Sequence, residues 1–104
     1  MIELNIDNFE EEVLKSEIPV VIDCWAEWCH PCKMMEPVFE ELSKEYAGRL
    51  KFCKLNTEEN FLIAQQYDIQ SIPTLLFFKN GKLTGRFVGF APKPYLKKII
   101  DNNL

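Results

Sequence analysis

Two cysteines stand two residues apart in the segment "DCWAEWCHPCKMMEP", residues 23–37. Cys29 and Cys32 could hold a metal, form a structural disulfide or act as a redox couple. A zinc site normally needs four Cys or His ligands, whereas this chain has one such pair, a single His inside it and two isolated cysteines. A structural disulfide across so short a loop removes little entropy from the unfolded chain. The pattern therefore favours a redox couple and predicts no metal site.

The pair is predicted to lie where a strand ends and a helix begins. The preceding run "PVVIDCWA" is typical of a central strand covered on both faces, and apolar residues at helical spacing follow from Cys29 to Tyr46. Cys29 would then cap the helix and Cys32 would lie one turn later on the same face. The free N–H groups and the helix dipole favour a Cys29 thiolate. Pro31 fits the first turn, where a missing N–H costs no helical hydrogen bond.

The other segments predict one mixed sheet between helices. We expect strands at "IELNI", "PVVIDCWA", "LKFCKLN" and on both sides of Asn80-Gly81, and helices from Asp7 or Asn8 to Glu17, from Cys29 to Tyr46, from Asn60 to Tyr67 and around Leu96. The strand-helix-strand unit makes the two central strands parallel, and the Asn-Gly turn makes the last two antiparallel. The predicted fold class is α/β, in the order βαβαββα. It has about four to five strands, helices on both faces, and residues 1–104 in a single domain.

Composition and charge exclude several classes of function. The net charge is −4 and no run of Lys or Arg interleaves with aromatic residues, so we expect no nucleic-acid partner. No apolar run is long enough to span a bilayer, so we expect no membrane role. The start "MIELNIDNFEEEV" has no signal-peptide pattern, which predicts a cytoplasmic protein. Cysteines there are kept reduced, which disfavours a structural disulfide framework.

Asp23 is the one charged residue in the apolar strand. A buried carboxylate without a partner is costly unless its pKa rises, so Asp23 is a candidate proton acceptor. Lys54 in "FCKLN" is its natural partner if the two strands adjoin. The alternatives are that Asp23 reaches solvent and that Lys54 only extends over apolar surface to water.

Cys24 and Cys53 are predicted on neighbouring strands, on the face opposite Asp23 and Lys54, because strand side chains alternate. Buried free cysteines behave as small apolar residues. The alternative is a second disulfide, which flat parallel pairing disfavours by its geometry.

The segments "VVIDCWAEWCHPCKMMEPVFEEL", "KLN", "SIPTLLFFKNG" and "VGF" together resemble the thioredoxin family over essentially the whole chain. The resemblance implies the thioredoxin fold and a protein-disulfide reductase with a redox-active Cys29–Cys32 disulfide. Cys29 would attack the substrate and Cys32 would resolve the mixed disulfide, with Asp23 moving a proton to and from Cys32 and Lys54 tuning Asp23. The implied partners are disulfide-containing proteins and a separate thioredoxin reductase. We expect a monomer without metal or organic cofactor.

The resemblance also implies a substrate-binding surface. It predicts a cis Ile72–Pro73 bond facing the disulfide, with the Ile72 backbone pairing with an extended substrate strand. From the residues alone, Pro73 would be trans and would merely open a strand. The implied substrate-binding residues are Trp28, Ile72, Pro73, Thr74, Val88, Gly89 and Phe90. Taken singly, each is more often a packing or turn residue.

His30 departs from the family, which commonly has glycine at this position. A protonated imidazole beside Cys29 would stabilise its thiolate and hence the reduced couple, so we predict a less reducing potential. The alternative is an exposed, neutral spacer at physiological pH. His30 therefore leaves open an oxidase or isomerase. A third possibility is a binding module in which the thiols are incidental.

Overall fold

The computed structural model describes all of residues 1–104 and contains one five-stranded mixed sheet with helices on both faces. The strands are β1 Ile2–Glu3, β2 Val20–Trp25, β3 Lys51–Asn56, β4 Thr74–Lys79 and β5 Lys82–Val88. The helices are a π-helix at Glu10–Leu14, then α1 His30–Glu45, α2 Phe61–Gln66 and α3 Lys93–Asn102. The predicted order βαβαββα is confirmed from β2 onward, and β1 and the π-helix precede it. None of the helices is long and apolar enough to cross a bilayer.

Strand β2 occupies the centre of the sheet, whose spatial order is β1-β3-β2-β4-β5. It pairs in parallel with β3 and antiparallel with β4. Its residues from Val20 to Cys24 are all buried, as the apolar and β-branched sequence predicts. The end of β2 therefore lies in the middle of the sheet edge from which the chain continues to α1.

Each face of the sheet carries its own apolar cluster. Val21 of β2 packs with residues of α1 and α3, among them Phe39 and Leu96. Ile22 packs on the other face with residues of the π-helix and α2, among them Phe9. Since side chains alternate along a strand, Asp23 shares the face of Val21 and points towards α1.

The turn predicted from the sequence is confirmed. Asn80 and Gly81 both have positive φ, 53° and 78°, which is the conformation of a type I′ hairpin turn between β4 and β5. Gly48 follows α1 with φ of 84°, as expected for a left-handed helix end.

The N-terminal prediction is wrong in its bounds. β1 ends at Glu3, because the side-chain Oδ1 of Asn5 accepts hydrogen bonds from the backbone N–H groups of Asp7 and Asn8 and so forms a local turn. Neither Asp7 nor Asn8 caps the helix, which begins at Glu10 and ends at Leu14, before the predicted Glu17. A local side-chain hydrogen bond has therefore replaced both the longer strand and the predicted cap.

The hairpin turn packs against the end of the π-helix, and this contact predicts a difference between two glycines. A Cβ at Gly81 would lie 2.7 Å from the carbonyl oxygen of Leu14, whereas one at Gly48 would meet nothing within 4 Å. Both positions have positive φ, so alanine should cost about 1 kcal/mol at either from backbone strain alone. We expect Gly81→Ala to lower the free energy of unfolding by a further 1 to 3 kcal/mol or so, because the backbone must shift. Urea unfolding of Gly81→Ala and Gly48→Ala measures the free energy that each variant loses. Equal losses in the two variants would contradict the prediction.

Candidate active site

The disulfide lies at the N-terminus of α1. Cys29 is the N-cap residue, with extended backbone, and Cys32 lies one turn into the helix. Their Cα atoms are 5.3 Å apart and their sulfurs are bonded. The backbone N–H of Cys32 donates a hydrogen bond to Cys29 Sγ at 3.3 Å, and Pro31 occupies the first turn. A helix N-terminus thus directs an N–H group at the sulfur that would carry charge when the pair is reduced.

The loop before the helix is tightly anchored. Cys29 N–H donates to the carbonyl of Ala26 at 3.1 Å, and Thr57 N–H donates to the carbonyl of Trp25 at 2.9 Å. Cys29 and Cys32 are only 3% and 2% exposed, whereas the Trp28 side chain stands out from the surface with 69% exposure. The disulfide is therefore nearly covered, and an exposed indole lies next to Cys29 in the sequence.

Asp23 is 1% exposed, and its Oδ1 atom has no hydrogen-bond partner. Its register partners are Lys54 on β3 and the apolar Leu75 on β4. Burial raises the pKa of Asp23 to about 7, while the charge of Lys54 lowers it and the charge of Glu36 raises it. A carboxyl group in this state both takes up and releases a proton near neutral pH.

Lys54 lies opposite Asp23, but its ammonium is bound elsewhere. Lys54 Nζ lies 2.5 Å from Oε2 of Glu36 on α1, and no ion pair within 4 Å joins Lys54 to Asp23. The ammonium also lies 4.5 Å from the centre of the Trp25 ring. The Lys54 side chain is 11% exposed and that of Glu36 is 47% exposed. Sequence reasoning missed Glu36, although its position four residues after Cys32 puts it on the same side of the helix.

The segment before β4 reaches the same edge of the sheet. The Ile72–Pro73 peptide bond is cis, and Pro73 O accepts a hydrogen bond from Gly89 N–H at 2.8 Å. Thr74 Oγ1 donates to Ser71 O, and Thr74 pairs with Cys24 at the end of β2. Ile72 lies outside the strands and has no hydrogen bond from its own N–H or C=O. Its backbone N–H and C=O groups therefore have no partner within the chain.

The predicted substrate-binding residues differ widely in exposure. Trp28, Val88 and Phe90 are exposed, Ile72 and Gly89 are half-buried, and Pro73 and Thr74 are buried. Gly89 has φ of 107°, which favours glycine. Val88 pairs with Thr74, so the end of β5 joins the ends of β2 and β4 at one edge. His30 is exposed at the start of α1.

Cys24 and Cys53 are fully buried free thiols on the face away from Asp23. They are not register partners, since Cys24 lies opposite Leu55 and Cys53 opposite Ile22. Burial raises the pKa of Cys53 to about 12 and raises that of Cys24 further still. Both thiols are therefore protonated at neutral pH and pack as small apolar side chains.

Comparison with known proteins gives the same family throughout. A family model described as Thioredoxin matches residues 1–102. The chain is 49% identical over 102 residues to thioredoxin M-type, chloroplastic, of Spinacia oleracea, covering 98% of this chain and 56% of that protein. It is 46% identical over 96 residues to thioredoxin 1 of Nostoc sp., covering 92% of this chain and 90% of that one. It is 51% identical over 98 residues to the thioredoxin of Acidithiobacillus ferridurans, covering 94% and 91%.

The buried carboxyl of Asp23 predicts a pH-dependent stability difference between the wild type and Asp23→Asn. Below about pH 3, Asp23 is protonated both in the folded protein and in the unfolded chain, so its titration does not change the free energy of unfolding. As the pH rises towards 7, the unfolded chain releases the proton while the folded protein keeps it, because the pKa is raised from 3.8 to about 7. The wild type therefore loses stability over this range and Asp23→Asn does not. We expect the advantage of Asp23→Asn to grow by as much as about 4 kcal/mol between acid and alkaline pH.

Urea unfolding at several pH values measures this difference. The matched control is Asp7→Asn, because Asp7 is exposed. Parallel stability curves for the wild type and Asp23→Asn would contradict the prediction.

Proposed function

The chain belongs to the thioredoxin family and is a disulfide oxidoreductase, and on that premise we propose that it reduces disulfides in other proteins through Cys29 and Cys32. The observation that carries the proposal is the Cys29–Cys32 disulfide at the N-terminus of α1, with Cys29 as the cap. The proposed direction of electron flow is from the reduced pair to the substrate.

Cys29 is the proposed nucleophile. The N–H of Cys32, 3.3 Å from Cys29 Sγ, and the positive end of α1 both favour thiolate over thiol in the reduced protein. The Cys29 thiolate attacks one sulfur of the substrate disulfide. A mixed disulfide forms, the substrate S–S bond breaks, and the other substrate sulfur leaves as a thiolate.

Cys32 is the proposed resolving residue and Asp23 its proton acceptor. The Cys32 thiol gives its proton to the Asp23 carboxylate, directly or through a water, and the Cys32 thiolate attacks Cys29 Sγ. The Cys29–Cys32 disulfide forms, the mixed disulfide breaks, and the second substrate sulfur leaves. Two electrons have then passed from the pair to the substrate. The pKa of Asp23, about 7, supports a role in proton transfer at neutral pH.

The proposed substrate is an extended segment that pairs with the backbone of Ile72. The free N–H and C=O groups of Ile72 support this, since strand addition uses such groups. The exposed apolar side chains of Trp28, Val88 and Phe90 would contact the rest of the segment. Val88 also lines an open cleft of about 400 Å³, together with Ser71 and Thr74 among others.

A separate thioredoxin reductase is proposed to return two electrons to the disulfide. Both electrons are held by the two sulfurs, so the proposed cycle needs no metal or organic cofactor. We further propose that residues 1–104 act as a single monomeric domain in the cytoplasm. The free state of Cys24 and Cys53 supports a reducing compartment, and two apolar clusters on one sheet support a single domain.

The proposed roles of the two cysteines, Cys29 as nucleophile and Cys32 as resolving residue, predict opposite behaviour of their serine variants. Cys32→Ser should accumulate a covalent mixed disulfide between Cys29 and a protein disulfide substrate such as insulin, because the resolving thiol is gone. Cys29→Ser should form no adduct, because Cys32 lies one turn inside α1 and no N–H group donates to its sulfur to favour the thiolate. Mass spectrometry under non-reducing conditions measures the adducts.

The control for this experiment is Cys24→Ser, which keeps both proposed catalytic cysteines. It should reduce insulin at the wild-type rate, given a folded protein. Adducts formed equally by both single variants would contradict the assignment of the nucleophile. If the double variant Cys29→Ser, Cys32→Ser kept the protein's cellular role, a binding module would replace the proposed reductase.

His30 predicts a change in the reduction potential of the couple. A protonated imidazole at the exposed start of α1 stabilises the Cys29 thiolate and so the reduced form. Removing it in His30→Gly should make the potential more negative by roughly 10 to 30 mV, equivalent to about 0.5 to 1.4 kcal/mol. Equilibration with glutathione or dithiothreitol buffers measures both proteins.

Equal potentials at all pH values would make His30 a neutral spacer. A wild-type potential well above the cytosolic thiol poise would reverse the proposed direction and favour an oxidase or isomerase.

A further inference from the structure

We propose that Glu36 is a positioning residue: it holds the Lys54 ammonium away from Asp23 and thereby sets how readily Asp23 accepts the proton of Cys32. The proposal rests on the function proposed above, in which Asp23 serves the resolving step. It concerns three charged groups on three elements, β2, β3 and α1.

The backbone alone would bring Lys54 to Asp23. The two residues are direct register partners on adjacent parallel strands, on the same face of the sheet. A lysine in that place has the reach to bind the neighbouring carboxylate. Instead its Nζ lies 2.5 Å from Glu36 Oε2, while Asp23 Oδ1 has no hydrogen-bond partner. Lys54 is therefore paired with Glu36, and the buried carboxyl group of Asp23 has no cationic partner.

Two contacts hold the ammonium in this outer position. One is the ion pair with Glu36, and the other is the face of the Trp25 ring, 4.5 Å from Nζ. The Lys54 side chain is 11% exposed, so solvent screens the ion pair less than it screens an ordinary surface pair. A cation on an aromatic face is further stabilised when it is poorly solvated. The outer position is therefore preferred over a free lysine in water.

Helix α1 places Glu36 one turn after Cys32, near the end of the helix that carries the disulfide. Glu36 follows Cys32 by four residues, which sets the two side chains one turn apart on the same side of the helix. Cys32 is buried under that side and Glu36 reaches its edge, with about half of its side chain exposed. The half-exposed carboxylate of Glu36 and the buried Cys32 thus belong to the same part of α1, on the face of the sheet that carries Asp23.

The charged and titratable groups around Asp23 are few. β3 contributes Lys54, α1 contributes Glu36 and the thiol of Cys32 once the disulfide is reduced, and β4 contributes only the apolar Leu75. Cys24 follows on β2 but points to the opposite face.

Of the two nearby ions, Lys54 lowers the pKa of Asp23 and Glu36 raises it, against the larger effect of burial. Glu36 acts in one direction by two routes: through its own negative charge, and by keeping Lys54 engaged. This combined action keeps the carboxyl group able to take a proton at neutral pH. A carboxylate that was strongly stabilised by Lys54 would be a weaker base towards the Cys32 thiol.

The test compares Glu36→Gln with Glu40→Gln. Both remove one negative charge from α1, but Glu40 is an exposed residue whose side chain takes part in no hydrogen bond or ion pair. The readout is the titration midpoint of the Asp23 carboxyl carbon in the oxidised protein, followed by ¹³C NMR and assigned with Asp23→Asn. We expect Glu36→Gln to move the midpoint to lower pH by about one unit, and Glu40→Gln to leave it in place.

A third variant separates positioning from the direct effect of charge. In Lys54→Met there is no ammonium to hold, so adding Glu36→Gln should move the Asp23 midpoint by less than half of its shift in the wild-type background. An equal shift in both backgrounds would leave only a direct charge effect and would overturn the positioning role. No shift in Glu36→Gln itself would overturn the whole proposal. Urea unfolding of each variant checks that the fold is kept.

The kinetic consequence is measured separately. Single-turnover release of substrate thiol from the mixed disulfide should reach its half-maximal rate at a lower pH in Glu36→Gln than in the wild type, by the same amount as the NMR midpoint. A wild type that did not reduce protein disulfides would overturn the proposed function. The NMR titration needs no turnover, so it would still decide whether Glu36 controls Asp23.

Discussion

The burial of one carboxyl group in the central strand is the constraint on which this site depends. Strand β2 is covered on both faces, so Asp23 loses nearly all of its hydration, and one of its oxygens finds no hydrogen-bond partner. A domain of this size has only about 5 to 15 kcal/mol of net stability, and a fixed buried charge would consume a large part of it. The group responds by holding its proton up to about pH 7. The same response that limits the loss of stability leaves a group that can take up and release a proton near neutral pH.

At the junction of β2 and α1, a cysteine occupies the helix N-cap, a position that other residue types usually take. Helix N-caps are normally Ser, Thr, Asp or Asn, whose oxygens accept well from backbone N–H groups. Here the acceptor is Cys29 Sγ, a weaker acceptor in its neutral or disulfide form. The hydrogen bond becomes strong only when the sulfur is a thiolate, because it is then assisted by charge. The helix terminus therefore stabilises the reduced, reactive form more than the oxidised one.

Local patterns in the sequence predicted the parts of the fold that depend on neighbouring residues. The β-branched run around Val21 indicated the central strand, and Asn80-Gly81 indicated the hairpin. The first strand was predicted but not its early end at Glu3, because the Asn5 side chain makes a turn that competes with strand pairing. The cis Ile72–Pro73 bond could be expected only from the family resemblance. The trans preference before proline is under about 1 kcal/mol, so tertiary contacts decide the isomer.

The ion pair of Lys54 with Glu36 could not be predicted from the sequence. Alternation and strand adjacency correctly placed Lys54 opposite Asp23, but the choice between two carboxylates depends on how α1 crosses the sheet.

The four cysteines of this chain show that burial alone does not decide the reactivity of a thiol. Cys24 and Cys29 are both almost completely buried, and only four residues lie between them in the sequence. Cys24 points into an apolar cluster, where burial raises its pKa far above the ordinary value and no backbone N–H is directed at its sulfur. Cys29 lies at a helix terminus and receives a hydrogen bond from the next turn. The face of the sheet and the start of the helix, rather than exposure, therefore divide packing cysteines from redox cysteines in this chain.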